Sequence, residues 1–171
     1  MPGNRAVAYG KDIDYSLIEV TNVGENSLAK IGDKIIIAKE LVEDVMKEIF
    51  VLSFNSSNIL KGSDFAGTVL AHPLNNNGYE HEVLLLEADF VTTDQGTGFV
   101  HIAPGHGADD FELGRQNNLP IPETVSDNGI LNSDLPLLGG LRVLKDNEII
   151  ADIMSEHCLL YTSDAADDAS S

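Results

Sequence analysis

Within GTGFVHIAPGHGADDFELG, from Gly96 to Gly114, the chain places two histidines, two adjacent aspartates and five glycines in nineteen residues. His101 and His106 lie five positions apart, just ahead of Asp109 and Asp110. Such groups could hold a metal, build a hydrolytic pocket from an imidazole and a carboxylate, or do no more than start a helix. The metal reading is the weakest. Pro104, Gly105 and Gly107 leave the mutual geometry of the four ligand candidates open, and neither an H-x-x-x-H nor an H-E-x-x-H helix is present.

The elements that must position these groups can be read around them. In FVHIA, strand periodicity puts Val100 and Ile102 on one face and Phe99, His101 and Ala103 on the other. A half-buried histidine with one satisfied hydrogen bond accounts for His101 without any function. Ala108 to Gln116 has the pattern of a helix, closed by Asn117-Asn118 with Pro120 just beyond. Asp109 and Glu112 have capping-box spacing, and acidic residues favour a helix N-terminus. A solvated helix start is the plain reading of Asp110, although capping needs only one aspartate. Gly96-Thr97-Gly98 would let a ligand approach backbone closely or simply make a turn.

Composition limits the wider setting. With 171 residues, 43% of them hydrophobic, the chain suits one well-packed domain. No apolar run approaches the roughly 18 residues that span a bilayer, and MPGNRAVAYG lacks a signal-peptide layout. No membrane partner and a cytoplasmic location are therefore expected. The formal charge of −18 argues against a protein that grips phosphates over a wide face. A module touching one nucleotide, or carried by a larger basic partner, remains compatible with it. Cys158 is the single cysteine, which excludes an intrachain disulfide and a cysteine-based zinc site.

Strands are expected at Tyr15–Val20, Lys34–Ala38, Phe50–Phe54, Thr68–His72, Glu82–Glu87 and Phe99–Ala103. Lys39–Ile49 turns helical, with Leu41, Val42, Val45, Met46 and Ile49 on one face. Asn75–Gly78 and Asp127-Asn128-Gly129 are turn signals, the second with hairpin chemistry. In DNEIIADIMSEH, Asp146 can cap a helix whose stripe is Ile149, Ile150, Ile153 and Met154. That stripe stops at Cys158–Ser171, which resembles the translation of a sequencing-library adaptor; a natural disordered tail is the rival reading. The expected organisation is a folded domain over 1–157 and a non-native tail over 158–171. Three aspartates lie in the tail, so the charge without it is −15. Many short strands with few helices give an α+β domain around a sheet or barrel.

Taken whole, GTGFVHIAPGHGADDFELG resembles the core motif of the editing domain inserted into class I isoleucyl-tRNA synthetases. Valyl and leucyl relatives share the GTG and the helix-opening aspartate, but their loops read more like P-A-H-D; His101 and PGHGADDF favour the isoleucyl branch. The resemblance runs from about Pro2 to Glu156, taking in PGNRA and LPLLGGLRVLKDNEIIADIMSE. It implies an α+β fold with a β-barrel-like core and peripheral helices. It also implies hydrolysis of the aminoacyl ester of mischarged valyl-tRNA(Ile). Asp110 matches the residue that pairs with the substrate's α-ammonium, and His101 the one that borders the amino-acid side chain and obstructs isoleucine. Asn4 matches a polar residue of the same pocket, and Gly96, Thr97 and Gly98 would line the bound substrate.

No metal and no cofactor are implied for editing, because water attack is helped by the substrate's own ribose hydroxyl. ATP and Mg belong to the parent enzyme's synthetic core, whose HIGH and KMSKS signatures are absent, so this chain is not expected to charge tRNA. The threonine-rich peptide expected ahead of Pro2 is also absent, and editing by the chain alone is expected to be weak. The implied partners are the tRNA(Ile) acceptor end, a mischarged valine and the rest of the parent synthetase. Such a second site is needed because one methylene discriminates by only about 1–3 kcal/mol, and isoleucyl-tRNA synthetase is the standard worked example of this double sieve. The alternatives are a valyl-type editing domain, a His/Asp metal-dependent hydrolase, and a non-catalytic module that binds the tRNA acceptor end.

Overall fold

A computed structural model describes residues 2–156. The expected boundary at 157/158, and the adaptor-like tail with Cys158, lie outside the described residues. Among the described residues two compact units are present, one formed by Gly3–Leu70 and Glu82–Ile121, the other mainly by Ala71–His81 and residues 122–156.

In the first unit, alternation of apolar and polar residues builds two sheets. Strand β1 spans Ala6–Tyr9, β2 Asp14–Val23, β3 Lys34–Ala38, β4 Val51–Lys61, β5 Val69–Ala71, β6 Glu82–Glu87 and β7 Phe99–Ile102. One sheet has the order β3-β2-β4, and the other β5-β6-β1-β7. β1 runs parallel to β6 and antiparallel to β7, with Ala6 opposite Ile102 and Tyr9 opposite Phe99. The α+β class expected from the sequence holds. The barrel-like part of that expectation is loose, because the strands form two separate sheets among the described residues.

The faces of β1 decide what packs where. Tyr9, with Val7 beside it, joins Tyr15, Ile18, Ile37, Met46 and Phe65 in the larger core. Tyr15 meets Phe65 and Phe99 at ring centroid distances of 5.1 and 4.7 Å. Ala6 and Ala8 point to a second core with Ile102, Ala88, Val91 and Leu113. The last of these belongs to helix α2, Ala108–Gln116. Gly114 completes the fit: a Cβ there would come within 2.8 Å of the Pro104 ring. Glycine inside a helix costs about 1 kcal/mol relative to alanine, and here it lets α2 lie close against the loop that follows β7.

Three expected elements match their observed bounds, those of β3, β6 and α2. Lys39–Ile49 divides into a short 3-10 turn, Lys39–Leu41, and helix α1, Val42–Glu48, anchored by buried Leu41, Val42 and Met46. β4 runs seven residues beyond the expected end at Phe54. Its polar stretch SFNSSN lacks an apolar alternation, and pairing with β2 through register shifts holds it. β1 was not expected; its alanines gave no β signal.

The second unit packs Leu74, Tyr79, Leu131, Leu138 and Met154 together. Gly78, with φ +91, ends a 3-10 turn over Asn75–Asn77, and Gly129, with φ +73, closes the Ser126–Gly129 turn between Val125 and Leu131. Both turn signals therefore lie in turns. Helix α3 spans Asn147–Glu156. The Asp146 carboxylate, expected to cap it, accepts the upstream Arg142 N–H at 2.7 Å. His72 is buried here, stacked on Tyr79 at 4.9 Å, and its Nδ1 accepts the Leu74 N–H at 3.0 Å. No helix among the described residues is long and apolar enough to cross a membrane.

Candidate active site

The turn between β7 and α2 gathers the site. β7 delivers His101 opposite Val7 of β1. Pairing and side alternation put His101 on the Phe99 side of the strand, while Val100 and Ile102 face the core under α2. The expected split of faces is observed. Beyond β7, the Ala103 N–H donates to Asp110 Oδ2 at 2.8 Å, and Ala103 O accepts the His106 N–H at 2.9 Å. Asp110 thus folds back from the first turn of α2 onto the end of the strand. It is half-buried, and it retains a second carboxylate oxygen for a ligand.

His101 is exposed at its surface, yet its pKa lies below the ordinary imidazole value. Partial burial among neighbouring atoms is the main cause. The charge on Asp110 pulls the other way, and His106 adds to the lowering. His101, His106 and Asp110 are therefore one electrostatic group. An imidazole that stays neutral at pH 7 can lie near a substrate ammonium without repelling it.

Asp109 belongs to different surroundings. It lines a cavity of about 330 Å³ together with Glu87, Asp89 and Glu112. The expected capping box does not form. Gly107 is the N-cap residue and makes no side-chain cap bond. Glu112 is occupied downstream, accepting from Arg115 at 2.7 and 3.1 Å and from Gln116 at 3.0 Å. Those bonds, Arg115 first, pull the Glu112 pKa down to about 2.

Gly96 and Gly98 adopt φ +78 and +80, conformations that suit glycine. A Cβ on Gly98 would come within 2.4 Å of Ala38 Cβ. Thr97 O accepts the Ala38 N–H at 2.9 Å, and Gly98 O accepts the Tyr15 hydroxyl at 2.7 Å. Packing against β2 and β3 accounts for this loop. Three residues of extended chain, roughly 10 Å, separate Gly98 from His101.

Asn4 is 4% exposed, and its Nδ2 donates to Ala6 O at 3.5 Å. It precedes β1 and lies close in sequence to the register pair Ala6–Ile102. Gly3 meets His106 and Ala103 at close range. Asp110 is bonded to Ala103, His101 lies two residues before it and Gly3, the neighbour of Asn4, lies against it, while Gly96–Gly98 sit at the other end of β7. Among the described residues, no three His, Cys, Asp or Glu side chains gather in a way that could hold a metal ion. The sequence signal missed here was Gly3, a small residue next to Asn4 whose contact with His106 only the fold discloses.

This architecture is that of a synthetase editing insertion. The crystal structure of GlLeuRS-CP1 superposes with a TM-score of 0.66 at 13% identity, covering 94% of this chain and 80% of that one, which bears on the fold alone. The family model described as "Leucyl-tRNA synthetase, editing domain" matches residues 33–136, and the chain belongs to that family. Within it, the sequence is 42% identical over 156 residues to an isoleucine-tRNA ligase of Gluconobacter oxydans, covering 91% of this chain and 16% of that protein. It is 44% identical over 152 residues to the isoleucine-tRNA ligase of Caulobacter vibrioides, covering 85% and 15%. The chain thus spans less than a fifth of the length of these relatives.

Proposed function

We propose that this chain is the editing module of an isoleucine-tRNA ligase, hydrolysing the ester of valine misattached to tRNA(Ile). The observation that carries the reading is the Ala103–Asp110 hydrogen bond, which fixes a half-buried carboxylate at the end of the strand bearing His101. The family membership and the isoleucine-tRNA ligase relatives support the same substrate class.

In this reading the free oxygen of Asp110 accepts the α-ammonium of the aminoacyl group. At an effective dielectric near 20, contact at 4 Å gives about 4 kcal/mol of gross attraction, before desolvation is subtracted. The valine side chain lies beside neutral His101, which leaves no room for the extra methylene of isoleucine. Asn4 completes the surface around Ala103, and the Gly96-Thr97-Gly98 loop, at the other end of β7, would meet a more distant part of the bound tRNA end. Water adds to the ester carbonyl, the carbon–oxygen bond to the ribose breaks, and the departing ribose oxygen takes up a proton. The ribose's second hydroxyl helps to place the water. No metal or cofactor takes part; ATP and Mg serve the separate aminoacylation chemistry of the whole ligase. The domain covers 1–157, its partners are the tRNA(Ile) acceptor end and the rest of a synthetase, and it works in the cytoplasm.

The test is deacylation of valyl-tRNA(Ile) by this chain alone and by a chimera in which residues 2–156 replace the matching segment of the Gluconobacter oxydans ligase. Valine release by the chimera, insensitive to chelator, is expected. Release that chelator abolishes would favour a metal-dependent hydrolase, and tRNA binding without release would favour a binding module.

A further inference from the structure

The ladder between β1 and β7 ends at Arg5, whose N–H donates to Ile102 O at 3.0 Å. Asn4 precedes that bond; it is buried, and its Nδ2 donates to Ala6 O at 3.5 Å. What lies against this segment is the His106 ring. A Cβ built on Gly3 would be 2.9 Å from His106 Cδ2, 3.1 Å from Nε2 and 3.4 Å from Ala103 Cβ. The imidazole therefore rests on the Gly3 backbone itself. Its own backbone is held by the bond to Ala103 O, and Ala103 is in turn tied to Asp110.

We propose that His106 is a positioning residue: its ring, packed on the Gly3 backbone, holds Asn4 in register with the strand that carries His101. Gly3 is glycine because a side chain would take the place of the ring. Gly3 carries no positive φ, so a methyl group is compatible with the backbone there and would act by displacing the imidazole. His106 is exposed on its outer side, which separates this role from support of a core. The inference rests on the editing reading only where activity is measured; the packing relation stands on the geometry alone.

Three variants test it, made in the whole chain and in the chimera: His106→Ala, Gly3→Ala and His106→Phe. The first readout is the backbone order parameter at Asn4 in the whole chain, which needs no activity. A rigid value of about 0.85 is expected for the unchanged protein and for His106→Phe, which keeps a ring on Gly3. It should fall towards 0.6 or lower in His106→Ala and Gly3→Ala. The second readout is kcat/KM for valyl-tRNA(Ile) deacylation by the chimera. It should drop about ten-fold or more in the same two variants and recover in His106→Phe, since misplacement by an ångström can cost about a hundred-fold. Combining Gly3→Ala with His106→Ala should add little to either alone. An unchanged Asn4 order parameter in His106→Ala overturns the proposal. So does an equal loss in the alanine and phenylalanine variants, which would assign the role to the ring nitrogens. A chimera inactive before any substitution would instead count against the editing reading, with the order parameter still deciding the packing relation.

Discussion

Asp110 and Ala103 are joined by a hydrogen bond of 2.8 Å from backbone N–H to carboxylate, and that single bond couples the start of α2 to the end of β7. The aspartate that is proposed to bind the substrate's ammonium also shapes the turn that positions it. Charge and acceptor geometry can be separated by substitution. Asp110→Asn keeps an oxygen for the Ala103 N–H and removes the charge; Asp110→Ala removes both. Asp110→Asn should abolish most valyl-tRNA(Ile) deacylation while lowering stability by less than about 1 kcal/mol. Asp110→Ala should lose the same activity and also about 1.5–3 kcal/mol, the usual range for a hydrogen bond to a charged group. Urea denaturation alongside deacylation measures both. Full activity in Asp110→Asn would remove the ammonium-binding role.

Asp109 gives a contrast one residue away. Because it neither caps α2 nor binds Glu112, its effect on stability reduces to its charge near the helix N-terminus. Asp109→Ala should cost no more than about 0.3–1 kcal/mol and leave deacylation within two-fold of the unchanged protein. A larger thermal shift would show a capping bond.

How much of this was legible in the sequence depended on the reach of the forces involved. Alternation in KIIIA and EVLLLE, and the helical period of ADDFELGRQ, are local signals, and those elements appear with the expected bounds. The face carrying His101 follows from strand geometry for the same reason. The capping box failed because Asp109 and Glu112 have the right spacing while Arg115 offers Glu112 a bidentate partner. β1 escaped because Ala6 and Ala8 are chosen by what packs on them, including Leu113 more than a hundred residues later. Asp110 bonding to Ala103, and Gly3 lying under His106, are likewise contacts created by folding. No local pattern encodes them.

The two glycines of the GTG loop differ in what surrounds them. Gly96→Ala introduces only the strain of a left-handed conformation, about 1–2 kcal/mol, because nothing lies within 4 Å of the new Cβ. Gly98→Ala adds an overlap with Ala38, an overpacking of about 1–3 kcal/mol. In urea titrations Gly98→Ala should therefore be the more destabilising by at least about 1 kcal/mol. Equal effects would mean that the β3 end yields to the methyl group.

The lowered pKa of His101 gives a pH dependence whose sign follows from proton uptake. The folded protein holds the imidazole neutral at a pH where the unfolded chain, near the ordinary 6.5, already binds a proton. The stabilising preference for neutral His101 is thus complete above about 6.5 and is lost as pH falls from there through the folded pKa. Asp110 opposes the lowering, so Asp110→Asn should move the His101 titration further down. Proton NMR of the imidazole ring across pH 4–8 measures both values. An unchanged His101 titration in Asp110→Asn would show that the two side chains do not face one another.

The sharpest expectation concerns His101 as the wall that excludes isoleucine. The residue is carried by β7 on the Phe99 side of the strand, beyond the bond that fixes Asp110. His101→Ala removes bulk from that wall and leaves the Ala103–Asp110 bond untouched, so the ammonium keeps its counter-charge. Because His101 is exposed, its removal opens space without emptying a core, and stability should change by less than about 1 kcal/mol. The size limit should relax while valyl ester hydrolysis persists. In the chimera, the rate of isoleucyl-tRNA(Ile) deacylation relative to valyl-tRNA(Ile) should rise at least ten-fold, the scale on which one methylene is discriminated. An unchanged ratio with both rates reduced would mean that His101 places water or supports the turn, and the assignment of the wall would pass to another residue.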